Sequence, residues 1–159
     1  SAKLGYRRAM KTVLQRVSRA QVRVAGEVVG SIERGVVALV GVEKGDTEAD
    51  ADATVRKIAT LRIFQGRTPM DRDLAEVEGG CLVVSQFTLA ASLRKGRRPG
   101  FEAAEDPPRA ELLYERVCQG LRELGLPVHT GRFGANMQVE LVNDGPVTLL
   151  VFTRDGVVV

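Results

Sequence analysis

The feature that most limits the fold is a switch in the spacing of apolar residues near residue 46. From Met10 onward the stretches TVLQRV and AQVRVAGEVVGSI alternate apolar and polar residues about a turn at Gly26–Glu27, and the apolar run GVVALVGV follows. Alternation of period two predicts a hairpin, and the continuous run predicts a central strand. GDTEADADATVRKIATLRIF then changes period: Thr47 with Asp50 three positions on is a capping-box signal, and Ala51, Val55, Ile58, Ala59 and Arg62 recur at helical spacing. CLVVSQFTLA predicts a buried strand and DPPRAELLYERVCQGLRELG a second helix. In that helix Asp106 stands at the N-cap, Pro107 and Pro108 in the first turn, and Leu112, Leu113, Val117, Leu121 and Leu124 in one stripe ending at Gly125. NMQVELVNDGPVTLLVF predicts two further strands interrupted at Asn143–Pro146. The order implies one α+β domain with a mostly antiparallel, barrel-like sheet and two main helices, spanning residues 10–153 with a short tail at 154–159.

Residues 1–9, SAKLGYRRA, have no clear period and precede Met10. They are set apart as an N-terminal extension, either upstream sequence or a cloning remnant, and left out of the fold. A chain of 159 residues with 44% apolar content suits one soluble domain. No segment has the length of a membrane span or the apolar core of a secretory signal, so the chain is read as cytoplasmic with no membrane partner. Cys81 and Cys118 lie in apolar contexts and are read as reduced, buried core residues.

The inventory excludes several chemistries. One histidine, His129 in the loop PVHTGRF, and two separated cysteines do not provide zinc-ligand spacing, so no metal is expected. No G-x-S-x-G elbow presents a serine, and neither GVEKGD nor KGRRPG fits a phosphate loop or a dinucleotide fingerprint, so no cofactor is expected. The acidic run Asp46, Glu48, Asp50 and Asp52 lacks the glycine and closing glutamate of a calcium loop and is read as charge favoured at a helix N-terminus.

Hydroxyl, amide and backbone chemistry remain, at two places. SQFT, Ser85 to Thr88, stands at a strand exit, and NDGPVT, Asn143 to Thr148, at a strand-to-strand turn. Thr88 is either an ordinary β-branched strand residue or part of a site, and Asp144–Gly145–Pro146 is either a tight turn or a recognition element. Backbone N–H groups at a strand end can stabilise a developing oxyanion. Just beyond SQFT lie Arg94, Lys95, Arg97 and Arg98 within five positions, and a net charge of +3 makes that cluster the natural place for a polyanion.

These blocks together, QRVSRA, GEVVG, LVGV, LRIF, VVSQFTL, RKGRRP, LYERV, TGRFGA and MQVELVNDGPVT, resemble the D-aminoacyl-tRNA deacylase family from about Met10 to Phe152. The resemblance implies hydrolysis of the ester between a D-amino acid and its tRNA by a homodimer. Gly145–Pro146, with a cis peptide, would enter the partner's pocket beside SQFT, and its carbonyl oxygens would accept the substrate's α-amino group. An L-residue would then drive its side chain into the wall, while glycine, as on Gly-tRNA(Ala), would escape rejection. The N–H groups of Phe87 and Thr88 would hold the ester carbonyl, with Ser85 and Gln86 on the adenosine side. Arg16 would brace the Gly–Pro pair, and Phe133 and Met137 would stand near the pocket. Arg94, Lys95, Arg97 and Arg98 would meet acceptor-stem phosphates. The sequence offers Thr88 no evident base, so the resemblance is read with a substrate-assisted mechanism in which the terminal 2′-hydroxyl orients or activates water.

The chain departs from the family pattern at Ser92 and Leu93, where an acidic residue and threonine are common, at Gly100 in RPGF, and at Met70–Asp71. None of these falls in the two motifs. Two other readings stand beside the deacylase: a relative specialised for glycine or L-alanine on the wrong tRNA, and a noncatalytic tRNA- or DNA-binding module of the same fold.

Overall fold

The computed structural model describes residues 6–159, in which one long strand organises a seven-stranded sheet. β1 (Met10–Val24) runs antiparallel to β2 (Glu27–Ile32), β3 (Gly35–Gly41) and β6 (Gln138–Arg154). β4 (Gly80–Ser85) lies parallel to β3, β5 (Val128–Thr130) lies parallel to β4, and β7 (Val157–Val158) turns back on β6. Parallel neighbours need long crossovers. Each crossover holds a helix: α1 (Glu48–Thr60) between β3 and β4, and α2 (Pro107–Glu123) between β4 and β5.

Alternation along the strands divides the interior into two cores. Val36, Ala38, Val40, Cys81 and Val83 face the helices, where they meet Val55, Ile58, Leu113, Val117 and Leu121. Their neighbours Val37, Leu82 and Val84 face the opposite, concave side with Val17, Ala20, Val22 and Ile32. β1 serves both cores because its register to β6 shifts between Gln15 and Val17 and again between Val17 and Arg19. Such irregularities change which face the following residues present. Met10 and Leu14 therefore point to the helices, whereas Val17, Ala20 and Val22 all point to the concave side. The sheet curls into a half-barrel as β2 crosses toward β5; a side chain at Gly30 would collide with the Thr130 carbonyl, which is why that crossing requires glycine.

Local signals place most elements as the sequence implies. Thr47 donates its N–H to the Asp50 carboxylate at 3.0 Å, half of the capping box that starts α1. Asp106 is the N-cap of α2 with Pro107 in its first turn, although its side chain makes no capping bond. Four details differ. The first hairpin turns at Ala25–Gly26, one residue early, with both residues at positive φ. Residues 128–130, read as loop, form the edge strand β5. Leu112 and Leu124 are exposed, and the buried face of α2 is Ala110, Leu113, Tyr114, Val117, Cys118 and Leu121. The last two strands are one strand with a local bulge, and the C-terminal tail adds β7.

Both cysteines are buried free thiols, and burial raises Cys81 to about 12 and Cys118 to about 11, so both stay protonated at neutral pH. No helix among the described residues is long and apolar enough to cross a membrane. Of the extension set apart above, residues 1–5 lie outside the described residues, while Tyr6, Arg8 and the buried Ala9 bond to the body of the domain.

Candidate active site

β4 ends at Ser85, and the chain then winds into a 3-10 turn, Phe87–Ala90, rather than continuing as strand. The Gln86 N–H still donates to Val40 at 2.7 Å, and the next two amides start the turn. The first N–H groups of such a turn have no partner within it. No hydrogen bond among the described residues engages the N–H of Phe87 or Thr88. Phe87, which carries the first of these free donors, lines a cavity of about 570 Å³ together with Ser85, Gln86, Phe101, Phe133 and Met137 among others. Three motifs distant in sequence thus share one space.

Thr88 is exposed, and its hydroxyl accepts a hydrogen bond from the Gln86 amide. It donates to no carboxylate or imidazole among the described residues, and His129 sits on β5 opposite Leu82. A hydroxyl without a base is a weak nucleophile, and general-base help is worth roughly 10²–10⁴-fold where it operates. Thr88→Ala is accordingly expected to lower ester turnover by less than about tenfold, measured at saturating substrate, because its backbone N–H survives the substitution. A loss of several orders of magnitude in a folded variant would mean that the hydroxyl itself attacks.

The cationic loop is fixed beside this cavity. Ser92 and Gly100 exchange both backbone hydrogen bonds, at 2.7 and 2.9 Å, closing residues 93–99 into a compact turn. Immediately after it, Phe101 packs edge-on to Phe87 with ring centroids 5.2 Å apart. Arg94, Lys95, Arg97 and Arg98 are all exposed, and none forms an ion pair among the described residues. Their charge therefore faces solvent at the rim.

Gly145 and Pro146 lie elsewhere on the chain. Val17 pairs with Asn143 and Gln15 with Thr148, so residues 144–147 stand opposite Arg16 alone and bulge from the sheet. Asn143 closes the neck, accepting the Val147 N–H at 2.7 Å and donating to the Thr148 hydroxyl at 2.9 Å. Val147 anchors the bulge in the interior while Asp144, Gly145 and Pro146 are exposed. Arg16 ties the bulge to the body: Nε donates to the Asp144 carbonyl at 2.8 Å and Nη1 to the Ile63 carbonyl at 2.6 Å. The Gly145–Pro146 peptide is cis. Gly145, Pro146, Arg16 and Thr88 are not among the residues lining the cavity of their own chain.

The sequence reading missed Phe101 and Glu105, both in the cavity wall. Phe101 carried a usable signal, as an aromatic residue directly after a basic turn. Glu105 carried none, since an acidic residue ahead of a helix is ordinary.

A curled sheet backed by two helices thus brings the free Phe87 amide, a cavity and an exposed cationic turn together beyond the end of β4. The chain belongs to the D-Tyr-tRNA(Tyr) deacylase family, whose model matches residues 13–152. A D-aminoacyl-tRNA deacylase from Halalkalibacterium halodurans is 54% identical over 146 residues, covering 91% of this chain and 100% of that one. Among solved structures, the c-Myc DNA Unwinding Element Binding Protein superposes with a TM-score of 0.85 at 38% identity, over 91% of this chain and 99% of that chain. A probable eukaryotic D-amino acid tRNA deacylase shares the fold, with a TM-score of 0.78 at 20% identity over 92% of this chain and 100% of that chain.

Proposed function

We propose that this protein hydrolyses the ester of D-aminoacyl-tRNA, releasing the D-amino acid and free tRNA. The observation that carries this reading is the pair of free amides on consecutive residues, Phe87 in the wall of the cavity and Thr88 next to it in the chain, with a cationic turn close by. Those amides would hold the ester carbonyl and stabilise the oxyanion as water attacks; one such donor is typically worth roughly 10²–10³ in rate. Ser85 and Gln86 would face the terminal adenosine, with Phe133 and Met137 completing the wall. The terminal 2′-hydroxyl would orient the water, which supplies what Thr88 lacks.

Chiral selection would come from backbone. The exposed Gly145–Pro146 bulge of one protomer would enter the cavity of its partner, its carbonyl oxygens accepting the α-ammonium group. Arg16 would hold the bulge in shape by its bond to Asp144. With the ammonium fixed, an L-side chain meets the wall and a D-side chain leaves toward solvent. Glycine has nothing to clash, so Gly-tRNA(Ala) would also be cleared. Exposed apolar residues on the same strand as the bulge, Val142 and Leu150, leave that strand open to contact with a second protomer.

The test is the deacylation rate of D-Tyr-tRNA against L-Tyr-tRNA on the same tRNA, with Gly-tRNA alongside. Rapid loss of the D-ester and the glycyl ester with the L-ester spared is the expected result; equal sparing of all three would sink the proposal. A second reading, nucleic-acid binding without turnover, is favoured by the DNA-binding name of one structural neighbour at 38% identity. It predicts that last outcome together with salt-sensitive binding.

The cationic turn gives a separate expectation. Replacing Arg94, Lys95, Arg97 and Arg98 with Gln should weaken tRNA binding and flatten its salt dependence. The slope of log affinity against log salt should fall by roughly 0.7–0.9 for each phosphate that the turn no longer neutralises. A titration at several salt concentrations reads this directly, and an unchanged slope would place the four side chains away from the tRNA.

A further inference from the structure

The family match begins at residue 13, yet three residues before Met10, namely Tyr6, Arg8 and Ala9, are bonded into the domain close to the cavity. Glu43, 1% exposed, takes three donors: the Tyr6 hydroxyl at 2.8 Å and the Ala9 N–H at 3.0 Å on one oxygen, and Lys11 Nζ at 3.0 Å on the other. Arg8 Nη1 bridges the fully buried carboxylates of Asp46 and Asp50, at 2.9 Å to each, and Nη2 reaches Asp155 at 3.0 Å. Asp46 in turn accepts the Glu43 N–H at 2.7 Å. The turn from β3 to α1 is therefore built around donor groups from the extension.

That turn is also a wall support. Lys44 N–H donates to Ala103 at 2.9 Å and Glu105 N–H to Val42 at 3.0 Å, while Arg109 joins the Asp46 carbonyl at 3.0 Å to the Glu105 carboxylate at 3.3 Å. Val42, Ala104 and Glu105 line the cavity. Only one residue, Glu43, separates the extension from a wall residue.

We propose that Tyr6 and Arg8 are positioning residues: by holding Glu43, Asp46 and Asp50 they fix the 103–105 segment against which the aminoacyl end of the substrate is placed. Removing the cation from a pair of buried carboxylates leaves uncompensated charge, which the turn relieves by opening. The 103–105 segment loses its register with it. The kinetic form of this inference rests on the deacylase reading.

The test uses the full chain. Arg8→Ala should raise KM for D-Tyr-tRNA roughly tenfold with a smaller change in kcat, a part of the hundredfold that a 1 Å misplacement can cost. Arg8→Lys should recover most of that loss, as should adding Asp46→Asn and Asp50→Asn to Arg8→Ala, which removes the stranded charge. Tyr6→Phe should show a weaker effect of the same kind. Val55→Ala, a cut in the α1–α2 packing, serves as a control with lowered melting temperature and KM unmoved. If KM follows melting temperature alike in Arg8→Ala and Val55→Ala, the positioning role is wrong.

Hydrogen exchange provides a reading free of substrate. The amides of Lys44 and Glu105 should exchange at least tenfold faster in Arg8→Ala than in the native chain, and not in Val55→Ala. If no D-ester is turned over, the functional reading fails while exchange still decides the bracing. Turnover with native KM and native exchange in Arg8→Ala overturns the inference alone.

Discussion

Gly145→Ala is expected to lower kcat/KM for D-Tyr-tRNA by roughly a hundredfold or more, the scale on which a misplaced recognition group acts. Gly145 has φ of +143°, and a Cβ there would stand 2.8 Å from Val147 Cγ2, 3.0 Å from the Val147 nitrogen and 3.1 Å from Arg16 Nη2. None of these obstacles can yield freely. Val147 is the buried anchor of the bulge, and Arg16 is tied at both Asp144 and Ile63. The carbonyl oxygens proposed to read the ammonium group would move. Thermal stability should change much less, because the bulge itself is exposed. Steady-state kinetics beside a melting curve separates the two, and native turnover in this variant would remove the Gly–Pro pair from chiral recognition.

Phe64→Ala should produce the largest loss of stability, about 3–5 kcal/mol, as expected for a buried Phe truncated in a core that collapses only partly. Phe64 is 1% exposed and heads the fully buried side chains by volume. Its backbone pairs with Arg72 in both directions, at 3.0 and 2.9 Å, and the Arg34 guanidinium lies 5.4 Å from its ring centroid. A domain of this kind has roughly 5–15 kcal/mol in total. A melting temperature lower by about 10 °C or more should be seen by calorimetry. The neighbouring Ile63 carbonyl holds Arg16. The same variant should therefore lose activity below its melting range, which a loss of global stability alone would not cause.

What could be read from the sequence was what neighbours in sequence decide. Thr47 and Asp50 marked the start of α1 because a capping box spans three residues. SQFT, the basic turn and NDGPVT were legible as motifs. Long-range facts were not. Asp46 and Asp50 had the pattern of surface charges at a helix start, but both are buried, and their partner Arg8 comes from 38 and 42 residues away. Burial raises Asp46 to about 6 despite the donors of Glu43 and Arg8. Burial works against Asp50 as well, but the N–H groups of Gly156 and Thr47 together with Arg8 hold it below its ordinary value. Leu112 and Leu124 fell in line with the stripe of α2, yet the sheet meets that helix through Tyr114 and Cys118 instead. β5 is too short for any period to show, and it exists because β4 has an open parallel edge.

The cavity and the exposed bulge lie apart on one chain. A site assembled from both across two protomers, as proposed, would make a lone protomer half of two unfinished catalysts. Below the dissociation constant of the pair, working enzyme would rise with the square of protomer concentration, so a modest fall in expression would cost a disproportionate share of proofreading. Dilution, rather than damage to any residue, would then be enough to silence the reaction.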